Sequence, residues 1–384
     1  MTVARLEPEQ RELLDLVRAF AHNTARPAAD ACEREGRFPR ELIAQMAGMD
    51  LMGLPFAIED GGGGQPQTVY LRVVEELSRA FMALGLGLSV HTLSTWAVAT
   101  YAAEPLRSAV LPRMTSGEWL GAYSLSEPGS GSDAAALVTK ARREGDHYVV
   151  DGVKAWVTHQ GVADVYVLMC RTGEHKSRGI STLLVRDGTP GLSFPPVERK
   201  MGMRASPTGQ LVFDGARVPA TDLLGEEGEG FKIAMSALDG GRLGIAAASV
   251  GLAQRCLDEA LAYAQQRTQF GQPIADFQGV AFLLADMATA VEAARALYLE
   301  AADRRDLGLP YGRLASMAKL SASDAAMRNA IEAVQLHGGY GYTEDYPVER
   351  FMREAKMLQI VEGTNQVQRM VISRDLLREG SGTP

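Results

Sequence analysis

The 384-residue sequence predicts an α+β protein made of three successive parts: an N-terminal helical domain, a small central β barrel or sandwich, and a C-terminal helical bundle. Three observations predict this order. Apolar residues recur at helical spacing near the N-terminus, short β-rich runs with turn residues follow, and long alanine-rich helical patterns end the chain. The changes of pattern place the domains at residues 1–117, 118–228 and 229–384.

The first part is predicted to be helical because Leu13, Leu14, Val17 and Phe20 recur at helical spacing. The stretch "EDGGGGQPQ" predicts a loop, since four consecutive glycines make a helix costly. Residues 81–103 contain no Asp, Glu, Lys or Arg and are long enough to cross a bilayer. Glycines and hydroxyl residues interrupt this stretch and favour a buried helix or a cavity wall, so no membrane insertion is expected.

The middle part is predicted to be β-rich. In "HYVVDGVKAWVTH" two β-rich runs flank Asp151-Gly152, which predicts a hairpin turn at this dipeptide. Further strands are predicted at "DVYVLMC", "STLLVRD" and "QLVFDGARVP". From Gly230 onward, alanine-rich patterns such as "SMAKLSASDAAMRNAIEAVQLHGG" predict long, closely packed helices, the last of them ended by Gly338-Gly339.

Composition narrows the classes of protein to consider. The formal net charge is -8 and no long run of Lys or Arg occurs, which argues against a nucleic-acid partner. The three cysteines, Cys32, Cys170 and Cys256, lie far apart and cannot all pair within one chain. Together with a polar N-terminus, they indicate a reduced, cytoplasmic protein with buried thiols.

Several common catalytic motifs do not occur in the sequence. No GxGxxG follows a strand, and no GxxxxGK[ST] is present, so neither a Rossmann nucleotide site nor a P-loop is indicated. The sequence has no GxSxG, and its six histidines show no zinc-ligand spacing. Hydrolase and metalloenzyme functions are therefore disfavoured.

Two stretches of the β-rich part suit a flat or anionic ligand. In "AYSLSEPGSGSDAAA", small residues let backbone N–H groups approach a phosphate or a heteroaromatic ring, unless the segment is only a flexible loop. In "AWVTHQG", Trp156 and Thr158 share one face of a strand. That face either flanks a flat cofactor or is merely half-buried.

Three stretches of the helical bundle also carry chemistry. "QQRTQFGQPIADFQ" offers the cation Arg267 and the ring of Phe270 to a pyrophosphate and an adenine, or places them as a surface Arg beside a core Phe. "QLHGGYGYTEDYPVERFMRE" joins a helix end to glycines that either touch a ligand or cap the helix. "LQIVEGTNQ" contains Glu362, which is either a solvated acid in a turn or a general base, with Ile360 and Val361 as apolar surroundings.

The helix–β–helix plan and these five motifs, in this order, resemble the acyl-CoA dehydrogenase family of flavoenzymes over essentially the whole chain. "SLSEPGSGSDAAA" is similar to the first signature of the family, although Ser124 replaces the smaller residue usual there. "QLHGGYGYTEDYPVERFMRE" fits the second signature throughout, and "EGTNQ" fits the stretch with the catalytic Glu.

The resemblance implies that the protein binds FAD without a Rossmann domain. Residues expected at or near the flavin ring are Tyr123, Leu125, Ser126, Trp156 and Thr158. Residues expected on the pyrophosphate and adenosine of a neighbouring subunit's FAD are Arg267, Phe270, Gln278, Gln335, Gly338 and Gly339. Thr364 and Gln366 complete the cofactor site, and the positions that touch substrate are Ser132, Asp239, Arg242 and Gly363.

The resemblance also implies the reaction: Glu362 removes the α-proton of an acyl thioester, flavin N5 accepts the β-hydrogen as hydride, and a trans-2-enoyl thioester results. A dry pocket would raise the pKa of Glu362 toward the working pH. Some members of the family carry the base beside the Arg of the long helix. In this chain that stretch reads "LDGGR", so Gly241 precedes Arg242 and the nearest carboxylate is Asp239.

Partners follow from the same resemblance. The thioester is expected on coenzyme A or on an acyl-carrier protein, the electron acceptor is expected to be an electron-transferring flavoprotein, and the chain is expected to form a homotetramer. Fatty acid metabolism is one of three pathways left open, beside amino-acid and secondary metabolism. Alternatives are a relative with oxygen-reactive flavin, namely an acyl-CoA oxidase or a flavin monooxygenase, and a non-catalytic helical scaffold.

Gly85 and Gly87 either deepen the acyl pocket or pack against a neighbouring helix.

Overall fold

The computed structural model describes residues 6–380 of the chain. The N-terminal part is helical, as predicted, and "GGGG" lies in the loop that precedes the fourth helix. A five-residue π-helical stretch, Ala21–Ala25, joins the first two helices. The α-helices of this part are α1 (Pro8–Phe20), α2 (Arg26–Glu35), α3 (Arg40–Gly48), α4 (Gln67–Ala80), α5 (Met82–Tyr101) and α6 (Leu106–Thr115).

Helix α5 is the apolar stretch whose role the sequence left open. It is long and apolar enough to cross a membrane, and 89% of its most apolar window is buried inside the protein. A Cβ added at Gly85 would lie 1.9 Å from Oγ of Ser78 and 2.8 Å from the carbonyl oxygen of Val74, both on α4. Gly85 therefore allows α4 and α5 to pack closely and does not deepen a pocket.

The middle part is a mixed eight-stranded sheet with the order β6-β7-β3-β2-β4-β5-β8, and β1 pairs with β4 in parallel. Its inner face buries large side chains, including Tyr148, Tyr166 and Phe213. The strands are β1 (Gly121–Ser124), β2 (Lys140–Glu144), β3 (His147–Thr158), β4 (Val165–Arg171), β5 (Ile180–Arg186), β6 (Leu192–Ser193), β7 (Thr208–Pro219) and β8 (Leu223–Leu224).

The predicted hairpin turn at Asp151-Gly152 is wrong. Strand β3 runs through this dipeptide without a turn, and the hairpin between β2 and β3 is made by Gly145 and Asp146. Gly152 has a φ of 147° and lies at a register shift between β3 and β7. A Cβ there would lie 2.6 Å from Oγ1 of Thr139, so glycine serves a bulge and a close approach of two chain segments.

The C-terminal part is a helical bundle around α7, as predicted. The 37-residue helix α7 packs against α4, α5, α8 and α9, and buried alanines allow short distances between these helices. Gly338 ends α9 with a φ of 61°. The helices are α7 (Gly230–Gln266), α8 (Gln278–Asp306), α9 (Gly312–His337), α10 (Val348–Leu358) and α11 (Asn365–Gly380), and a short ribbon, β9 (Thr268–Gln269) and β10 (Gln272–Pro273), joins α7 to α8.

Candidate active site

Glu362 lies in the turn between α10 and α11, where the backbone is held in an unusual conformation. Its φ is 53° and that of Gly363 is 86°, so two successive residues are left-handed. Nε2 of Gln368 donates to the carbonyl oxygens of Glu362 at 3.1 Å and of Gly363 at 2.8 Å. Nζ of Lys319, on α9, donates to the same Gly363 oxygen at 3.0 Å. These two buried side chains hold the turn that presents the carboxylate.

The carboxylate of Glu362 faces the long helix α7 at Gly241. A Cβ added at Gly241 would lie 2.7 Å from Oε2 of Glu362, so the missing side chain makes room for the acid. Oε2 is buried and has no hydrogen-bond partner within residues 6–380. Ile360, expected to surround the acid, is 54% exposed and does not bury it. The burial comes from α7 and its neighbours instead.

Burial raises the pKa of Glu362 to about 7, and the cations Arg242 and Lys319 oppose this rise. A carboxylate with such a pKa is partly ionised at neutral pH, and it can both accept and hold a proton. Glu362 thus has the position and the ionisation expected of a general base.

Asp239, the other carboxylate close to Arg242, is engaged in an ion pair. Its Oδ1 lies 2.5 Å from Nη1 of Arg242, one helical turn along α7, and the side chain of Arg242 is buried. Burial raises the pKa of Asp239, while Arg242 and Arg305 lower it. Because its charge is already shared with a cation, Asp239 is a weaker candidate for the base than Glu362.

Tyr123 comes from the β domain and reaches the same place. Its hydroxyl donates to the carbonyl oxygen of Ala234 on α7 at 3.3 Å. Burial raises its pKa well above the ordinary value, and the nearby charge of Glu362 adds to the effect. The acid is therefore enclosed by α7, α9 and β1 within a single chain. Ser132 lies apart, exposed in the loop after β1.

The end of β1 and the bulge in β3 form the surface predicted to meet a flavin ring. Nζ of buried Lys154 donates to the carbonyl oxygen of Leu125 at 2.9 Å and to Oε1 of Glu127 at 2.8 Å. The backbone N–H of Ala155 donates to the carbonyl oxygen of Ser126 at 2.9 Å. A buried ion pair and a backbone hydrogen bond thus fix the loop after β1 against β3.

Trp156 is the most unusual residue of this surface. It lies at a register shift of β3, has a φ of 61°, and is 63% exposed. Thr158, two residues later, is half-buried, and the register shift at Trp156 interrupts the alternation from which a shared face was predicted. Oγ of Ser124 is buried without a hydrogen-bond partner within residues 6–380. A large exposed ring in a strained conformation on β3, and an unsatisfied hydroxyl at the end of β1, fit a surface that is completed by a flat, polar cofactor.

A second group of predicted residues lies elsewhere, on the outside of the C-terminal bundle. Phe270 is 95% exposed, and its φ is 53°. The guanidinium of Arg267 lies 5.9 Å from the ring centre of Tyr340, which brings the end of α7 next to the end of α9. A cavity of about 400 Å³ opens between them. The remaining predicted residues of this group are also exposed: Gln278, Gln335, Gly338 and Gly339.

Thr364 and Gln366 lie at the start of α11. Oγ1 of Thr364 accepts a hydrogen bond from the backbone N–H of Val367 at 3.2 Å, and Gln366 is exposed. The structure thus brings Glu362 together with Asp239, Arg242 and Tyr123. It does not bring the exposed group of the bundle to that site within one chain.

Sequence reasoning missed Lys319 and Gln368, which hold the Glu362 turn. Lys319 is buried on a face of α9 that is otherwise made of small residues, including Ala315, Ala318 and Ala322. A lysine inside such a stripe was the available signal, because an isolated buried ammonium is costly. Gln368 offered no signal, since it is one of several polar residues near the start of α11 and the sequence does not show which of them are buried.

Comparison with known proteins gives a consistent result. The N-terminal, middle and C-terminal domains of acyl-CoA dehydrogenase match residues 7–118, 122–216 and 228–377. A curated relative, the short-chain specific acyl-CoA dehydrogenase of Clostridium acetobutylicum, is 44% identical over 97% of this chain and 99% of its own length.

Solved structures agree in fold. Butyryl-CoA dehydrogenase from Megasphaera elsdenii has a TM-score of 0.96 at 39% identity, covering 98% of this chain and 100% of that one. A chain from a structural study of the electron-transferring flavoprotein of Acidaminococcus fermentans has a TM-score of 0.96 at 41% identity. The match covers 98% of this chain and 100% of that one. A glutaryl-CoA dehydrogenase from Mycobacterium smegmatis in complex with FADH2 has a TM-score of 0.91 at 28% identity, covering 97% of this chain and 95% of that one. Because all three domains of the family match and the matches cover nearly the whole chain, the chain belongs to the acyl-CoA dehydrogenase family.

Proposed function

We propose that this enzyme removes hydrogen from Cα and Cβ of an acyl thioester and releases the trans-2-enoyl thioester, with Glu362 as the base that takes the α-proton. The observation that carries the proposal is the Glu362 carboxylate itself. Its Oε2 is buried and without a partner within residues 6–380, it faces the space left by Gly241, and its pKa is raised to about 7.

The same turn offers a way to acidify the α-proton. The backbone N–H of Glu362 makes no hydrogen bond to another backbone group or side chain within the described residues. It is therefore free to donate to the carbonyl oxygen of the thioester, where negative charge develops as the proton leaves. The neighbouring cations Arg242 and Lys319 favour that charge as well. The proton ends on Oε2 of Glu362.

FAD is the cofactor of this family, and when bound it supplies the acceptor of the hydride from Cβ. We propose that Leu125, Ser126, Trp156 and Thr158 hold its ring. Support comes from the exposed, strained Trp156 and the unsatisfied hydroxyl of Ser124. The Lys154–Glu127 ion pair would keep the loop after β1 in place for the ring.

We further propose a homotetramer in which the exposed group around Phe270 meets FAD held by a neighbouring subunit. The exposed ring of Phe270, and Arg267 in the wall of a cavity of about 400 Å³, support this role. The solved chain described under an electron-transferring flavoprotein supports such a protein as the electron acceptor. We also propose that the protein is cytoplasmic and does not insert into a membrane. The carrier of the thioester is proposed to be coenzyme A or an acyl-carrier protein.

The test is the reductive half-reaction. Purified protein is mixed anaerobically with butyryl-CoA, bleaching of the flavin band is followed, and the product is analysed for the trans-2-enoyl thioester. The released flavin is identified by chromatography. Bleaching with formation of the enoyl thioester and release of FAD is expected. Failure of every acyl-CoA and acyl-carrier-protein thioester tested to reduce the flavin would overturn the proposal.

A further inference from the structure

A small polar cavity lies beside Gly241, where α4, α5, α7 and the end of α8 meet. Its volume is about 20 Å³, roughly the space of one water molecule. Leu93 and Trp96 form apolar walls. The other side chains are mostly polar: Gln67, Tyr70, Ser89, Thr92, Ser236 and Arg305. Gly240 and Gly241 are also in its wall, which makes the cavity the neighbour of the Glu362 carboxylate.

Arg305 is the one permanent cation that lines this cavity. Its side chain makes no hydrogen bond or ion pair within residues 6–380, and its guanidinium lies 5.7 Å from the ring centre of Tyr311. Asp239 is within electrostatic reach, but its short contact goes to Arg242. The neighbours of Arg305 in sequence are engaged elsewhere: Nε of Arg304 bonds Glu300 at 3.1 Å on the surface.

The position of Arg305 is determined by its surroundings. The carboxylate of Asp306 accepts hydrogen bonds from the backbone N–H groups of Gln67 and Thr68, at 2.7 and 3.2 Å, and ties the end of α8 to the start of α4. A Cβ added at Gly240 would lie 2.6 Å from Nη1 of Arg305, so a glycine makes room for the guanidinium. An unsatisfied hydroxyl, Oγ1 of Thr92, is buried in the same cavity wall.

This lining is unsuited to the end of an alkyl chain. A methyl group placed against a guanidinium and an unsatisfied hydroxyl removes water from both and offers no hydrogen bond in return. A carboxylate satisfies both groups and matches the planar donor fork of arginine.

The distance from Glu362 limits the length of the acyl group. Gly240 and Gly241 are neighbours on α7, and neighbouring Cα atoms are about 3.8 Å apart, so the guanidinium and the Glu362 carboxylate lie within roughly 12 Å of each other. After van der Waals contact at both ends, C–C bonds of about 1.5 Å limit the acyl group to at most roughly six carbons.

We infer that the preferred substrate is a short acyl thioester that carries a carboxylate at its far end, bound by Arg305 with help from Thr92. This inference rests on the proposed function, because it places the thioester at Glu362. It names a specificity-determining residue, Arg305, that is separate from the residues of the proton transfer.

The experiment compares substrates of equal carbon number with and without the terminal carboxylate: glutaryl-CoA against pentanoyl-CoA, and adipyl-CoA against hexanoyl-CoA. Values of kcat/KM come from anaerobic flavin reduction by the wild-type enzyme and by Arg305→Met, Arg305→Lys and Arg304→Met. Arg304→Met is the matched control, because it removes the adjacent arginine, whose side chain pairs with Glu300 outside the cavity. Flavin content and thermal unfolding show that each variant is folded.

The wild type is expected to prefer the carboxylated member of each pair. In Arg305→Met that preference falls by about 10- to 100-fold, the effect of losing a charge-assisted hydrogen-bond pair. Arg305→Lys retains part of the preference, and Arg304→Met retains all of it. An unchanged ratio in Arg305→Met would overturn the inference while flavin reduction by pentanoyl-CoA left the proposed function standing. If no acyl-CoA reduces the flavin, both fail together.

Discussion

The site around Glu362 and the exposed surface around Phe270 differ in how complete they are within one chain. The Glu362 carboxylate is enclosed by α7, α9 and β1, and its turn is held by Lys319 and Gln368. Phe270 is 95% exposed, and the predicted residues beside it are exposed as well. Both were predicted as functional from motifs of similar strength.

The difference shows which parts of the proposed active site a single chain can form by itself. A base needs a dry environment to raise its pKa, and the interior of one bundle supplies it. Phe270, which has a positive φ, meets the ring of Phe277 but stays exposed, and a ligand or a second subunit would bury it. Four variants test this contrast, in order of decreasing effect.

Glu362→Gln removes the proposed base and leaves the shape of the site almost unchanged. Flavin reduction by a reactive acyl-CoA is expected to slow by ~10²–10⁴-fold, because glutamine cannot accept the α-proton. Substrate binding, flavin content and fold should persist, since the backbone N–H and the turn remain. Anaerobic stopped-flow absorbance measures the rate. Reduction at a rate near the wild type would assign the proton transfer to another group, with Asp239 the next residue to test.

Arg267→Ala tests the exposed surface. Loss of a cation that binds a pyrophosphate is expected to weaken FAD retention by ~10–100-fold, without altering the pH dependence of flavin reduction in the fraction that stays loaded. Flavin release on dilution measures FAD retention, and anaerobic flavin reduction at several pH values measures the pH dependence. Native mass spectrometry gives the flavin load of each oligomer. Gln265→Ala, at an exposed position two residues earlier, is the control. A fully loaded monomer would exclude a cofactor site shared between subunits.

Lys319→Met tests the electrostatics of the enclosed site. The wild-type rate should fall as pH drops through about 7, because a protonated Glu362 cannot accept a proton. Removing the cation that opposes the raised pKa of Glu362 should move this fall to higher pH. Loss at pH 7 is expected to be about two- to sixfold, as for a rise of about half to one pKa unit from a pKa of about 7.

The control for Lys319→Met is Lys356→Met, at an exposed position on α10. It should leave the pH profile of kcat/KM in place. An unshifted profile in Lys319→Met, with normal flavin content, would show that Lys319 holds the turn without tuning the base.

Gly241→Ala should have the smallest effect. The added Cβ would lie 2.7 Å from Oε2 of Glu362, so the carboxylate must rotate away from its position. A loss of about two- to fivefold in the rate of flavin reduction is expected, since small misplacements of catalytic groups slow reactions. The control is Gly279→Ala on α8, where a Cβ meets nothing within 4 Å. An unaltered rate would mean that the carboxylate is not confined by α7.

Local patterns were sufficient for most of the fold. The alanine-rich helices, the glycine that ends α9 and the strands β4, β5 and β7 were all predicted, because apolar periodicity and turn residues act over a few positions. The hairpin turn was misplaced because Asp151-Gly152 has the composition of a turn. Glycine is needed at position 152 because Thr139, from another segment of the chain, lies too close to the backbone for a side chain to fit there.

The sequence by itself placed Glu362 in a distinctive motif and left Asp239 as the nearest carboxylate to Arg242 on the long helix. Only the tertiary structure decided that Glu362 and Gly241 face each other, with the glycine making room for the acid. It also decided that Lys319 and Gln368 hold the turn, and that Arg305 reaches a cavity beside the base. Such facts depend on contacts between segments far apart in the chain, where burial sets the pKa and packing sets the available space, and no local pattern encodes either.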